Sequence, residues 1–513
     1  MDGRDQDDRR RDEPEQVPVG APEGATAAAD ASTRRGQAAA RASGTDAAGT
    51  TAPDGGGDRD TRFFGQPWAL AHVFGVEMWE RFSFYGMQTL LVLYMVNNLL
   101  LPGNVGDVAG IEQLRALYGG LDGQAFASAI FGTYAASVYL TPIIGGWIAD
   151  RFLGKRRTVL IGAIVMVAGH FLMAFDVTFL FALLCLIVGS GLFKGNIASQ
   201  VGSLYKPDDL RRADAFQIFY LGINAGVIAS PLIVSTLGEK VGWHWGFGAA
   251  GVGMLIGLAI YISGQKYLPK EHFDVPNRKA KAAAEQKAPM SRTDWLATVA
   301  LLMLIPVMAL AIVPNNQIFN AYLVWGDRSF DLVFFGTTLP TGWLITIDAI
   351  VSVSFLAIVA LFYRWYGKRW REPDELTKII IGSAFSIGGM ACLYMAALTT
   401  GPGEKIGRFW PVMFHIVNSI GFAHMLPVSL ALFARLAPKQ INATVIGLYY
   451  LAFFAGNSIV GWVGGWFETM PVTSFWLMHM GFAAAAGLAF VAFKLLLAWR
   501  LMHSAEPEDV ALA

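Results

Sequence analysis

Apolar stretches of about twenty residues recur from Trp68 to His503, and each is long enough as a helix to cross the hydrocarbon core of a bilayer. The pattern predicts spans at 67–98, 123–149, 158–176, 178–204, 214–235, 244–263, 294–326, 338–365, 377–400, 409–436, 442–467 and 473–502. A polar stretch at 264–293, rich in lysine and interrupted by Pro269 and Pro276, divides the twelve helices six and six. The expected organisation is a tail at 1–62, a six-helix bundle at 63–263, a linker at 264–293, a second bundle at 294–503 and a short tail at 504–513. Residues 1–62 are rich in Ala, Gly, Asp and Arg and poor in large apolar side chains, which predicts disorder, and they hold no apolar run of the signal-peptide kind.

The charges between spans alternate in sign of topology. Arg151, Lys155, Arg156 and Arg157 follow span two, and Lys206, Arg211 and Arg212 follow span four. The linker, then Arg364, Lys368, Arg369 and Arg371, then Arg435 and Lys439 continue the series. All fall on one side of the predicted membrane together with both termini, which predicts that this side is the cytoplasm.

Composition narrows the class. The chain of 513 residues is 54% hydrophobic and 15% charged, against roughly 25% charged in an ordinary soluble domain. An all-α polytopic membrane protein is the fold class these numbers support. Net charge is zero, which gives no hold on nucleic acid. The two cysteines, Cys185 and Cys392, lie in separate apolar spans, so neither a disulfide framework nor a metal centre is expected. There is no GxxxxGK[ST] loop for a nucleotide-driven pump, no filter sequence of a channel, and no HExxH or nucleophile–base pair of an enzyme. Two six-helix halves joined by a soluble linker are the organisation of secondary transporters.

Three charges stand inside the first span: Glu77, Glu80 and Arg81. Each costs about 2.5–3.5 kcal/mol at the centre of a membrane helix. Glu77 and Arg81 are one turn apart, and Glu80, Phe84 and Tyr85 continue the stripe, so the charges turn together into a protein-lined interior. The alternatives are an ion pair that only locks packing and a proton or substrate pathway. His415 and His424, nine residues apart, fall on opposite faces of their helix.

Five motifs carry a family resemblance. The segment GGWIADRFLGKRR, residues 145–157, resembles the GxxxADRxxG(R/K)(R/K) loop of the major facilitator superfamily. There Gly145 lets helices approach, and Asp150 and Arg151 bridge helix ends in one closed state. Glu77-Met-Trp-Glu80-Arg81-Phe82-Ser-Phe84-Tyr85-Gly86 resembles the ExxERFxYYG signature of the proton-dependent oligopeptide transporters. The fifth span, from Phe216 through Phe219, Tyr220 and Asn224 to Gly226, resembles that family's FxxFYxxINxG. The fourth span keeps Lys194 of a GxGxxKPN segment with Gly195 in place of proline, and IGLYYLAFFAGN of the eleventh is similar to MGxWFLxxxxGN. The resemblance covers about residues 63–503 and implies a major facilitator fold of about twelve helices in two bundles, working as a monomer in the cell membrane.

The resemblance also implies roles. Arg81 and Lys194 match the cations that hold a peptide carboxylate, and the planar guanidinium suits that partner. Asn224 matches a contact to the peptide backbone; alternatively it is an interhelical hydrogen bond. Tyr85 matches a binding tyrosine or is a packed aromatic. Glu77 and Glu80 are the expected proton-coupling carboxylates beside Arg81, with the proton as coupling ion and no other cofactor. Asn316 and Gln317 occupy the substrate-facing place of the seventh span.

Two departures stand out. Pro314-Asn315-Asn316-Gln317 puts Asn316 where the family carries a glutamate, and Phe422 replaces the glutamate of the tenth-span ELxxSPxGL. Asp348 and His424 are the candidates to compensate; the alternatives are a helix-capping Asp348 and a His424 hydrogen-bonded between helices. Asp327 and Asp331 flank Arg328 as either an outer gate or an exposed cluster. The expected function is proton-coupled import of di- and tripeptides, not enzymatic. The alternative is proton-coupled transport of anionic or modified peptide-like compounds that lack a free amino terminus. A non-transporting sensor built on the long tail is the reading from a different class.

Overall fold

The computed structural model describes residues 60–206, 209–269, 290–438 and 441–498. The tails expected at 1–62 and 504–513 and most of the linker expected at 264–293 lie outside these residues. Among the described residues twelve long helices follow the apolar pattern. They are α1 (Trp68–Tyr94), α2 (Gly123–Ile148), α3 (Lys155–Leu172), α4 (Phe179–Ser203), α5 (Arg211–Lys240) and α6 (Trp243–Gly264). The second set is α7 (Arg292–Asn316), α8 (Trp343–Gly367), α9 (Glu375–Thr399), α10 (Phe409–Leu436), α11 (Asn442–Gly464) and α12 (Val472–Phe493). Ten spans are long and apolar enough to cross a membrane by length and composition. The exceptions are α1, with its three internal charges, and α3, which begins Lys155-Arg156-Arg157.

Packing repeats between the sets. In the first, α1 lies on α5 and α6, α3 on α4 and α6, and α2 on α4. In the second, α7 lies on α11 and α12, α9 on α10 and α12, and α8 on α10. Adding six to each helix number converts one list into the other, as expected of two halves related by a pseudo-twofold axis. The halves meet along two seams, α2 with α11 and α5 with α8, which the same operation exchanges. Large apolar side chains such as Leu184, Leu221, Leu302, Leu361 and Leu488 stay exposed on the outer faces, with Trp147, Trp245, Trp295 and Trp462. A bilayer is the solvent that accommodates such a surface.

The expected spans are met within a few residues, with one correction. The seventh, expected as one helix over 294–326, is broken: α7 ends at Asn316, a 3-10 turn covers Gln317–Phe319, and a second segment runs Ala321–Ser329. Pro314 has no N–H to continue the ladder, and Asn320 takes φ −123° and ψ −110°. Through the break the Gln317 and Asn320 N–H groups bond to the Asn315 and Gln317 carbonyls, while the side-chain amides bond to one another and to α11. At the end of the molecule away from the basic loops, the structure adds a short helix at Ile111–Leu117 and a hairpin pairing Val333–Phe334 with Thr337–Thr338.

Candidate transport site

Helix α1 delivers the charges. Arg81 reaches Glu77 Oε1 through both Nε and a terminal nitrogen at 2.7 Å, and its Nε lies 3.3 Å from Glu80 Oε2. Glu77 and Glu80 are buried, whereas the Arg81 side chain keeps 16% exposure, so the cation is the member of the trio that borders accessible space. Glu77 Oε2 and both oxygens of Glu80 have no hydrogen-bond donor among the described residues. Helix α4 brings Lys194, whose Nζ lies 3.6 Å from the centre of the Phe84 ring and within electrostatic reach of Glu77. Helix α2 adds Tyr134, fully buried and within electrostatic reach of Glu80.

Close helix packing holds this cluster. A Cβ on Gly226 of α5 would lie 2.3 Å from the Met78 carbonyl and 3.0 Å from the Arg81 Cβ, so only glycine lets α5 press against α1 here. Four residues on, Ser230 Oγ donates to the Phe82 carbonyl. Gly145 similarly sits against the Gly191 backbone, joining α2 to α4, while Asp150 and Arg151 are exposed in the turn that follows α2. Asn224 donates to the Tyr220 carbonyl of its own helix at 2.8 Å, not to a neighbouring helix. Tyr85 is half-buried and faces Phe319 in the α7 break, with ring centres 6.1 Å apart. It therefore links the charged cluster to the other half.

The second half presents amides rather than acids. Asn316 donates to Asn457 Oδ1 at 3.0 Å, and Asn418 donates to Asn315 Oδ1 at 2.8 Å. Ser352 and Ser419 hydroxyls pair at 2.9 Å. Gln317 is fully buried, with Nε2 3.1 Å from His479 Nε2 and its oxygen accepting from Asn320. The structure thus turns Gln317 into the second half's own interior. Asp348 does not cap its helix: Oδ1 lies 2.9 Å from His415 Nδ1, and His415 Nε2 lies 2.9 Å from the Tyr322 hydroxyl. His424 donates through Nδ1 to the Ile420 carbonyl and packs against Tyr363 and Phe385. Asp348 thus pairs with a histidine of α10, and His424 bonds within its own helix and not between helices.

The end away from the basic loops is sealed between halves. Glu239 of α5 accepts the Thr341 and Gly342 N–H groups at 2.5 and 2.9 Å, just before α8. Trp343 Nε1 donates to Thr236 Oγ1, and Thr346 to the Ile228 carbonyl. On the other seam Gln124 donates to Ser128 and to the Gly464 carbonyl, Ser128 to Asn320 Oδ1, and Asn320 to Gln317 and the Val460 carbonyl. Asp327 accepts from Asn97 across the halves, whereas Arg328 pairs with Glu468 and Asp331 with Arg408, both inside the second half. The Val333 N–H and the Arg408 guanidinium hold the Asp331 carboxyl below the usual carboxylate range. Toward the basic loops α4 packs on first-half helices and α10 on second-half helices, so among the described residues no seam of that kind joins them.

The sequence profile of the POT family matches residues 156–284. The chain is 30% identical over 465 residues to the uncharacterized transporter YclF of Bacillus subtilis (strain 168), covering 80% of this chain and 90% of that one. It is also 30% identical over 473 residues to the peptide transporter YePEPT of Yersinia enterocolitica subsp. palearctica serotype O:3 (strain YE-P4), covering 79% and 88%. This chain belongs to the POT family. A crystal structure of the peptide transporter POT in complex with sulfate superposes with a TM-score of 0.74 at 27% identity, covering 86% of this chain and 96% of that one. The two six-helix halves are therefore those of the major facilitator fold.

Several POT-family positions gain partners that the sequence alone did not point to. Tyr134 and Asn418 were not singled out, and His415 was read only as lying on the helix face opposite His424, because one polar side chain on an apolar helix resembles ordinary core. The i, i+3, i+4 spacing of His415, Asn418 and Ser419 was the available signal. Asn457 was quoted as the end of the eleventh-span motif, yet its partner Asn316 appears only in three dimensions.

Proposed function

We propose that the chain is a proton-coupled symporter that imports di- and tripeptides across the cytoplasmic membrane by alternating access. The observation that carries this reading is the buried Glu77–Arg81–Glu80 cluster facing Lys194, one half-buried tyrosine away from the break in α7. Arg81 and Lys194 receive the peptide carboxylate; Glu77 and Glu80 receive the proton. With Glu77 protonated, the guanidinium loses its nearest anion and its fork turns to the substrate. Asn224, Asn316 and Tyr85 border the peptide. The basic loops and both termini face the cytoplasm, so the conformation described is closed outside, and the chain works as a monomer with no enzymatic step. Gly145, Asp150 and Arg151 stabilise the state closed on the cytoplasmic side.

Dialanine uptake into proteoliposomes holding the purified protein, with and without an inward proton gradient, tests this reading. Accumulation above the external concentration is expected only with the gradient. In Glu80→Gln, accumulation is expected to fall to the level of wild type with a collapsed gradient; full accumulation in that variant would remove Glu80 from coupling.

The amides in the second half favour a second reading. Asn316 and Phe422 stand where a peptide's ammonium or a second proton would meet an acid, which suits cargo with a blocked amino terminus. Competition of N-acetyl-dialanine against dialanine separates the two: stronger competition by the acetylated compound supports the second.

A further inference from the structure

His415 is fully buried and hydrogen-bonded on both ring nitrogens, to Asp348 of α8 and to Tyr322 of the segment after the α7 break. Each of those elements carries one seam between the halves. Two residues before Tyr322, Asn320 accepts from Ser128 of α2. Two residues before Asp348, Thr346 donates to the Ile228 carbonyl of α5. His415 thus ties together the two elements that close the end away from the basic loops.

We propose that Asp348 and His415 form a second proton-binding site of the transport cycle, set in the half that has amides elsewhere; this rests on the reading of the chain as a proton-coupled transporter. With the imidazole neutral, Nδ1–H donates to Asp348 Oδ1, and Nε2 accepts from the Tyr322 hydroxyl. A proton added at Nε2 makes both nitrogens donors. The Tyr322 hydroxyl then turns from donor to acceptor, and Asp348 stays as the counter-ion. The only bond formed is N–H, and no hydrogen bond of the ring is lost. Asp348 keeps 16% side-chain exposure, which gives the proton a way in and out that His415 itself lacks.

The surroundings leave this pair the charged centre of its region. Tyr322 packs against Trp476 of α12, which leads to His479, itself bound to Gln317 and the Phe475 carbonyl. Helix α9, seated by Gly389 on Asn418, offers Cys392 and Tyr394 at this level and no charged group. Helices α7 and α11 present Asn315, Asn316 and Asn457. From α5 the nearest acid is Glu239, held by the Thr341 and Gly342 N–H groups. A charge gained at His415 is therefore felt first by the two seam elements.

Two measurements test the pair. Solid-state NMR of protein labelled with 15N-histidine, its His415 signal assigned with His415→Gln, reads the proton directly and needs no cargo. The His415 ring is expected to gain a proton as the medium is acidified, and in Asp348→Asn, which keeps the acceptor oxygen, to remain neutral. Proteoliposomes then read coupling. At a gradient of about one pH unit each coupled proton supports about tenfold accumulation. In Asp348→Asn the ratio of gradient-driven accumulation to exchange at equal pH is expected to fall by about that factor. A His415 ring that keeps one protonation state on acidification, or an unchanged ratio in Asp348→Asn, overturns the proposal. Wild type that moves no dialanine defeats the peptide reading instead, and the NMR signal still decides whether the pair binds a proton.

Discussion

Arg81 serves two carboxylates with one guanidinium, and its geometry shows why lysine is no substitute. Two of its nitrogens reach the same Glu77 oxygen while Nε also faces Glu80, an arrangement that a single ammonium point charge cannot reproduce. Loss of one charge-assisted hydrogen bond costs about 1.5–3 kcal/mol. Arg81→Lys is therefore expected to raise the KM for dialanine roughly 10- to 100-fold, measured as concentration-dependent uptake at fixed gradient. An unchanged KM would show that the fork is not what meets the cargo. The charged trio was legible in the sequence because three charges in one apolar span have no cheap explanation. Tyr134 and His415 were not, because a lone tyrosine or histidine costs an apolar helix little, and its meaning depends on a partner many residues distant.

At the scale of single elements, the side-chain hydrogen bonds between halves cluster at the break in α7 and around the start of α8. Asn320 stands at the break and bonds to Gln317, Ser128 and the Val460 carbonyl. In Asn320→Leu these groups stay buried without their partner, at about 1–3 kcal/mol for each group left unsatisfied. A lower melting temperature in detergent is expected, and a Tm equal to wild type would mean that the seam is not closed in solution. The Thr341 and Gly342 N–H groups just before α8 are directed at Glu239 of the other half, an anion at a helix N-terminus. Glu239→Ala is expected to loosen the closed end. Faster labelling of a cysteine placed at exposed Phe335, in protein lacking Cys185 and Cys392, would report it. Helix positions were legible from apolar run length, but the interruption in α7 was not. Proline inside a membrane helix more often bends it than divides it, and the amide pairs that flank the division, Asn316 with Asn457 of α11 and Asn315 with Asn418 of α10, appear only in three dimensions.

At the scale of the whole molecule, the pseudo-twofold arrangement makes the two seams equivalent by symmetry but not by chemistry. The α5–α8 seam is polar, with Glu239, Thr236 and Thr346 as its contacts. The α2–α11 seam adds to its Gln124 and Ser128 hydrogen bonds a crossing of backbone against backbone: a Cβ on Gly461 would lie 2.6 Å from the Gly132 Cα. Gly461→Leu is expected to hold that end apart. Spin labels at Leu101 and Phe335 would then separate beyond their wild-type distance, and uptake would fall while the protein still reaches the membrane. An unchanged distance would show that the seam yields elsewhere. The six-plus-six division was legible from the linker and the alternating basic loops. Which helices face across the halves was not, since Gly132 and Gly461 are two small residues among the 56 glycines of the chain.

The Gly132–Gly461 crossing has a consequence for the lipid around the protein. Where two backbones touch, no acyl chain can enter between them, so one leaflet meets a continuous wall. Toward the basic loops no such crossing joins α4 to α10 among the described residues. The two leaflets therefore border different protein edges, and a change of tail length confined to the leaflet at the basic loops is expected to alter uptake more than the same change in the other leaflet.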